Sequence, residues 1–239
     1  MLAKKSIVYL WPFQVLSILG VIYSFYLFSW QDVLLFFFIG HLLACVGQFI
    51  GLHRYFSHRS FKVNRFWHVL LVSSSTLSIS GPVVAWLNIH RNHHKYSDTE
   101  KDPHSPAYRG MFNVFFANWW YYRYTPPEQI PEYKDSLLKF THDYYYHINA
   151  SYILLLALIN PYLLFPLYFY PGILGPLMSS TVNSYLHRGG KPQDSKFLAY
   201  VICGDGYHKH HHDYPTKAVF PFPDLCGVII NLIRTDKST

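Results

Sequence analysis

Histidine motifs carry the chemistry that this sequence suggests. Four of the five residues from His208 to His212 are histidines, and an earlier motif, His90-Arg-Asn-His93-His94, has a similar spacing. At 3.6 residues per turn, positions i, i+3 and i+4 share one face of a helix, so each motif presents three imidazoles together. Neutral imidazole binds iron, zinc, copper and nickel. The motifs therefore predict a metal site without choosing the metal.

Three further histidines extend this set. His187 lies four residues after Asn183, so the two side chains share a helix face. His53 and His58 are five residues apart and would point about 140° from each other on a regular helix. Either each of them serves a different metal, or the helix ends between them. Nine imidazoles are too many for one ion, since a tetrahedral zinc takes four ligands, so we expect two ions.

Carboxylate ligands do not replace the histidines in this scheme. The chain has only three glutamates, Glu100, Glu128 and Glu132, and none of them belongs to a Glu-x-x-His pair. Such pairs are typical of the di-iron carboxylate sites of ferritin-like bundles. A site of that type is therefore not predicted.

The elements that position these histidines are predicted to be membrane helices. The chain is 51% hydrophobic and only 14% charged, against roughly 25% charged residues in an ordinary soluble domain. Residues 6–28 and 33–52 form two apolar segments, each near the roughly 20 residues that a helix needs to cross the hydrocarbon. Lysines and arginines precede and follow this pair, which places both ends in the cytoplasm. The two segments read as a helical hairpin.

A second hairpin is predicted at residues 148–163 and 167–186, in a long stretch without Lys or Arg that prolines interrupt. Residues 67–86 are also apolar, but a fifth span there would put the histidine motifs on opposite sides of the membrane. We expect this segment, and the aromatic-rich residues 111–124, to lie at the interface or against the cytoplasmic part.

The overall prediction is one all-α domain over residues 1–239. It has four membrane spans arranged as two hairpins, and a cytoplasmic helical cap formed by residues 53–140 and 187–239. Both termini are expected to be cytoplasmic.

The net charge, the cysteines and His41 support fewer predictions about function. The formal net charge is +7, which suits an anionic membrane surface or an acidic partner, and no nucleic-acid-binding motif accompanies it. Cys45, Cys203 and Cys226 are isolated from one another in sequence and predict neither a disulfide framework nor a thiolate metal site. His41 lies in the middle of a predicted span, where a polar group usually has a partner. The sequence does not identify that partner.

The histidine motifs and their flanks resemble those of the membrane-bound fatty acid desaturases related to stearoyl-CoA and acyl-lipid desaturases. The matching segments are HRYFSHRSFK at 53–62, WLNIHRNHHKYSDTEKDPHSP at 86–106, NSYLH at 183–187 and GDGYHKHHHDYP at 204–215. The resemblance implies a di-iron enzyme that uses O2 to introduce a cis double bond into a saturated acyl chain. It also implies that two Fe2+ ions are bound by His53, His58, His90, His93, His94, His187, His208, His211 and His212, with Asn183 reaching one ion through water.

Further roles follow from the same resemblance. His210 is expected to be an additional histidine outside the ligand set, and Trp86, one turn before His90, is expected to line the acyl channel. Ligand imidazoles commonly donate their second N–H to a carboxylate. Three aspartates are candidates for that contact, with helix capping or salt bridging as the alternative role: Asp98, Asp102 and Asp205.

The implied partners are membrane lipid, a fatty acyl substrate and an electron donor. The acyl group is expected on coenzyme A, acyl carrier protein or a glycerolipid. The chain contains no cytochrome-like or flavin-binding domain, so the electrons are expected from a separate ferredoxin or b-type cytochrome. Its docking site is predicted at Lys191, Lys196, Lys209 and Lys217.

Two alternatives stay open at this stage. The same scaffold could hydroxylate the acyl chain, because hydroxylation and desaturation diverge only after the first hydrogen is removed. A non-enzymatic membrane protein that binds or transports metal is the alternative from another class. A permeation path, however, carries polar groups at mid-membrane depth, whereas the predicted ligands gather on one side.

Overall fold

The computed structural model describes residues 3–117 and 125–236. Within those ranges the regular structure is helical, apart from one isolated β-bridge between Asp194 and Tyr207. The predicted all-α fold class is therefore confirmed.

The first predicted hairpin consists of helix α1 (Ala3–Leu27) and helix α2 (Trp30–Cys45). The turn between them is short because the Ser29 hydroxyl accepts a hydrogen bond from the Asp32 backbone N–H and begins α2 at once. Helix α2 continues without interruption into a π-helix, Val46–Ser57. In the part of the chain that the structure describes, Trp30–Ser57 is the one helix long and apolar enough to cross a membrane. Its exposed side chains include Leu34, Leu35, Phe37 and Phe38.

The π-helix extends beyond residue 52, where the second predicted span ends. Its backbone bonds join residues five apart, as in the bond from His58 N to His53 O at 3.2 Å. The helix does end between the two histidines, at Ser57. Because its turns are wider than α-helical turns, residues five apart lie on the same side. His53 and His58 therefore point in a common direction, which a regular helix would not allow.

The second predicted hairpin consists of helix α8 (Tyr145–Ile159) and helix α9 (Tyr170–Tyr185). A 3-10 turn, Pro161–Leu163, and a short π-helix, Phe165–Phe169, connect them around the prolines that the sequence places there. Helix α9 packs closely on α2. A Cβ atom at Gly40 would lie 2.4 Å from the Tyr170 Cβ, so only glycine permits this approach.

Residues 67–86 do not form one continuous helix. They are divided between helix α3 (Arg65–Thr76) and helix α4 (Val83–Tyr96) by an irregular turn. Helix α3 lies against the π-helix, where a Cβ atom at Gly47 would be 2.6 Å from the Ser74 carbonyl oxygen. The segment thus packs against another part of the protein.

Smaller elements complete the chain. Helices α5 (Pro106–Arg109) and α6 (Met111–Ala117) follow α4, and the rest of the aromatic-rich segment, residues 118–124, lies outside the described residues. Two 3-10 turns precede helix α7 (Ser136–Asp143), and they cover Pro127–Gln129 and Pro131–Lys134. Three short helices follow α9: α10 (Lys196–Val201), α11 (His208–Asp213) and α12 (Leu225–Ile233).

Candidate metal centre

Five imidazoles converge between the end of the π-helix, helix α4 and helix α11. Each of them offers a ring nitrogen within 4.8 Å of the others, and the group, called the first cluster, is His53, His58, His90, His94 and His211. The Nε2 atoms of His58 and His90 are 2.8 Å apart, and the Nε2 atom of His211 lies 2.9 Å from that of His53. Most of these rings are buried.

Four other imidazoles form a second cluster between α4, the end of α9 and α11: His93, His187, His208 and His212. The Nε2 atom of His208 lies 2.7 Å from that of His187 and 3.1 Å from that of His212. The His93 Nε2 atom is buried and has no hydrogen-bond partner among the described residues. A polar atom buried without a partner is rare and points to a bond of another kind, here to a metal.

The two histidine motifs are each divided between the clusters. On α4, His90 and His94 face the first cluster and His93 faces the second, whereas on α11 His208 and His212 face the second and His211 the first. Residues i and i+4 are about 40° apart around a helix, and residue i+3 is turned about 60° to the other side. Each short helix therefore supplies ligands to both clusters.

Three aspartates orient the imidazoles, as the sequence predicts. A carboxylate only accepts hydrogen bonds, so each Nδ1 atom donates its proton and the Nε2 lone pair is left facing the cluster. The pairs are His53 with Asp205 at 2.6 Å, His93 with Asp102 at 2.9 Å, and His187 with Asp98 at 2.9 Å.

Asp205 is itself held by a buried ion network that the sequence does not reveal. The Arg54 guanidinium, 1% exposed, donates to Asp205 at 2.7 Å and to Asp224 at 2.8 Å, and lies over the Phe220 ring. Gly204 completes the network because its φ is +115° and a Cβ atom there would lie 2.1 Å from an Asp224 oxygen. The backbone conformation therefore requires glycine at position 204, the first residue of the Gly-Asp-Gly sequence before the last histidine motif.

Burial favours the neutral form of most of these imidazoles. Burial, and then the neighbouring histidines, lower the pKa of His90, His93, His208 and His211 well below the ordinary value. Ring nitrogens whose lone pairs face each other repel unless a cation lies between them. With metal–nitrogen bonds of about 2.0–2.1 Å, two ligands at right angles are about 2.9 Å apart, and at a tetrahedral angle about 3.4 Å. The Nε2 contacts match the first value, so each cluster fits one metal ion.

A cavity of about 350 Å³ adjoins the first cluster. Trp86, His90 and Asn183 line it, and the Trp86 indole stacks on the His90 ring with centroids 5.0 Å apart. The rest of the wall is largely apolar and comes from α1, α4, α6 and α9. Trp86 therefore lines a cavity beside the first cluster. Asn183 also lines it, one turn before His187.

Two histidines outside the clusters, His210 and His104, differ in their positions relative to the clusters and the cavity. His210 is in neither cluster, as predicted; its backbone N–H donates to Asp194, and its ring lies beside Tyr214. His104, which the sequence leaves without a functional role, lines the cavity with its ring 5.2 Å from that of His93. Burial lowers the pKa of His104 to about 4. The sequence feature that could have drawn attention to His104 is the Asp-Pro-His tripeptide after the motif that ends at His94.

The chain matches the family model described as fatty acid desaturase over residues 28–225. It is 27% identical over 208 residues to an sn-1 stearoyl-lipid 9-desaturase of Synechocystis sp., covering 80% of this chain and 64% of that protein. It is 28% identical over 227 residues to an acyl-CoA desaturase of Cyprinus carpio, covering 82% and 68%. An acyl-CoA Delta(11) desaturase of Spodoptera littoralis is 30% identical over 231 residues, covering 84% and 66%. The chain thus spans about two thirds of the length of these relatives.

Proposed function

The chain belongs to the fatty acid desaturase family, and on this basis we propose that it introduces a cis double bond into a saturated fatty acyl chain. The observation that carries the proposal is the convergence of two histidine clusters beside a largely apolar cavity. The first cluster would hold one iron and the second cluster the other, and Asn183 would reach one of the two ions through water.

The reaction consumes one O2, two electrons and two protons for each double bond and releases two waters. When bound, the two reduced irons supply from O2 the oxidising power that an unactivated C–H bond requires. The electrons come from a ferredoxin or b-type cytochrome. A basic docking surface for it is supported by the exposure of all four predicted lysines: Lys191, Lys196, Lys209 and Lys217.

The protein's own contribution is to place the acyl chain and exclude water. His90, Trp86 and Asn183 line the end of the cavity next to the clusters, whereas Ile173 lies ten residues before Asn183 on helix α9. At 1.5 Å per residue this separates the two positions by about 15 Å along the helix. The acyl chain extends along this path with its reacting carbons beside Trp86. Fixing those carbons in one position lowers the entropic cost of the reaction.

We also place the chain in a membrane as a multi-pass protein of one domain, with four spans and with the cap and both termini cytoplasmic. Helices lie at all four predicted positions. Large apolar side chains are exposed on α1, α2 and α8, where contact with lipid accounts for them: examples are Leu19, Phe38, Leu154 and Leu158. The acyl carrier is coenzyme A, acyl carrier protein or a membrane lipid.

The decisive experiment is gas chromatography–mass spectrometry of total fatty acids from a host that supplies working electron donors. We expect a new monounsaturated acid with the wild type and none with His93→Ala, whose Nε2 atom faces the second cluster. Derivatisation of the double bond then gives the carbon pair that reacts. A hydroxy acid would indicate a hydroxylase on the same scaffold, and an unchanged profile would contradict an oxidative function.

The cavity predicts how chain length is selected. Ile173→Trp places an indole at the end of the cavity remote from the clusters, and we expect the product profile to shift toward shorter acyl chains. One methylene in an apolar pocket changes specificity by about 10- to 200-fold, so a shift of at least tenfold in the product ratio is expected. The same chromatographic profile measures it.

A matched control separates occlusion of the cavity from the effect of an added indole. Ile159 ends helix α8 and is 65% exposed, away from the cavity. Ile159→Trp should leave the product ratio unchanged. Equal profiles for the two variants would show that the acyl chain does not occupy this cavity.

A further inference from the structure

The three cysteines meet in the folded protein, although the sequence separates them. Cys45 lies at the end of α2, Cys203 in the turn after α10 and Cys226 on α12, and all three side chains are buried. The sulfurs of Cys45 and Cys203 are 2.8 Å apart, and the Cys226 backbone N–H donates to the Cys203 carbonyl. The prediction that no thiolate site exists rested on sequence spacing and missed this tertiary contact.

His41 joins this group and gains the partner that the sequence could not identify. Its Nε2 atom lies 3.7 Å from the Cys45 sulfur and 3.7 Å from the Cys203 sulfur. One imidazole thus faces two thiols at equal distance. His41 and Cys45 lie one turn apart on α2, and neither belongs to the two histidine clusters.

We propose that His41, Cys45 and Cys203, whose ligand atoms lie within 4.8 Å of one another, form a third metal site that binds one Zn²⁺ as a structural ion, with Cys226 moving in as the fourth ligand. Three thiolates and one imidazole are a donor set typical of structural zinc, in which the protein fills all four positions of a tetrahedron. Soft sulfur ligands favour zinc over the harder cations. The inference is independent of the proposed desaturation, because it concerns other residues and another ion.

The distances support His41, Cys45 and Cys203 as ligands, with one adjustment, whereas Cys226 lies outside this group and must move toward it. Zinc–sulfur bonds of about 2.3 Å and zinc–nitrogen bonds of about 2.0–2.1 Å place tetrahedral S and N ligands about 3.6 Å apart. The two His41 contacts of 3.7 Å match that value. Zinc-bound sulfurs lie about 3.8 Å apart, so Cys45 and Cys203 must separate by about 1 Å on binding.

A disulfide between Cys45 and Cys203 is the competing explanation of their contact. It would bring the sulfurs to about 2.05 Å and would use two of the four groups. The position of the His41 imidazole at equal distance from both sulfurs would then have no explanation, whereas a metal ion uses it as a ligand. We therefore favour the ion and treat the disulfide as an outcome of the test.

Such an ion would tie three separate elements together beneath the first cluster. The Cys226 backbone N–H already donates to the Cys203 carbonyl at 3.0 Å. Cys203 lies two residues before Asp205, the carboxylate that orients His53. The zinc would thus fix the loop that holds Asp205 relative to α2.

The test begins with the purified wild-type protein and measures zinc by inductively coupled plasma mass spectrometry. We expect about one zinc per chain, and at least a fivefold loss of it in Cys203→Ser, Cys226→Ser and His41→Ala. His147→Ala is the matched control, since His147 is an exposed histidine of α8 outside the group, and it should retain the zinc. Zinc retained in any of the three ligand variants would contradict the proposal.

Two measurements on the wild type itself do not depend on a variant that folds. Protein produced with Co²⁺ in place of Zn²⁺ should show thiolate-to-cobalt charge-transfer absorption, which histidine clusters cannot produce. Alkylation of the unfolded, unreduced protein should then modify all three cysteines. Modification of only one cysteine, or a cobalt spectrum without the charge-transfer band, would overturn the site. Neither readout depends on whether an unsaturated product forms.

Discussion

His211→Ala is expected to abolish desaturation and to remove about one iron per chain. His211 belongs to the first cluster, and its Nε2 atom lies 2.9 Å from those of both His53 and His94. Loss of a partner that merely orients a ligand reduces metal affinity or activity about 10- to 100-fold, so loss of the ligand itself should cost at least 100-fold in product. Iron analysis of the purified protein and chromatography of host fatty acids measure the two effects.

The neighbouring residue provides the control. His210→Ala removes the same side chain from the same short helix, but its ring lies in neither cluster. We expect it to retain two irons and the product yield of the wild type. Equal losses in the two variants would mean that helix α11 is damaged in general, and the assignment of His211 as a ligand would fail.

Asp205→Ala is expected to have the second largest effect. The substitution leaves the buried Arg54 guanidinium without one of its two carboxylates and frees the His53 imidazole to rotate. Breaking a buried charge pair costs about 3–5 kcal/mol of stability. Loss of the carboxylate behind a metal-bound histidine lowers metal affinity about 10- to 100-fold. Thermal unfolding in detergent and an iron titration would detect both changes.

Asp213→Ala tests whether these losses are specific. Asp213 also forms an ion pair, with Lys209 on the same helix, but the pair is exposed. Exposed pairs contribute about 0–1 kcal/mol, so little change is expected. If the two aspartate variants behaved alike, the ion network behind His53 would have no particular role.

The sequence predicts the parts of the centre that local spacing determines. Six of the nine histidines could be chosen because their i, i+3, i+4 spacing is visible along the chain, and the resemblance to the desaturases implies the other three. Their grouping could not be predicted, since it depends on how α4 and α11 cross between the clusters. For the same reason the sequence does not predict the contact between Arg54 and Asp224, which are 170 residues apart.

The first helical hairpin shows a second limit of prediction from sequence, which concerns where a helix ends. Hydropathy predicts its two segments, because an apolar run of about 20 residues has few alternatives to a helix. It does not predict that the second helix continues to Ser57 with π-type hydrogen bonds, since that depends on packing against α3 at Gly47 and Gly51. The predicted cap boundary at residue 53 therefore falls inside this helix, and the sequence left the relative direction of His53 and His58 open.

The π-helix also makes the length of this segment as important as its composition. A turn with i to i+5 bonds accommodates more residues than an α-helical turn over the same rotation. Deleting one residue between Cys45 and His58 would rotate the histidines relative to α2 by about 100°, even if every remaining side chain were unchanged. Homologous chains that preserve this metal centre should therefore vary in sequence here more freely than in residue count, and alignment gaps should be rare across these twelve residues.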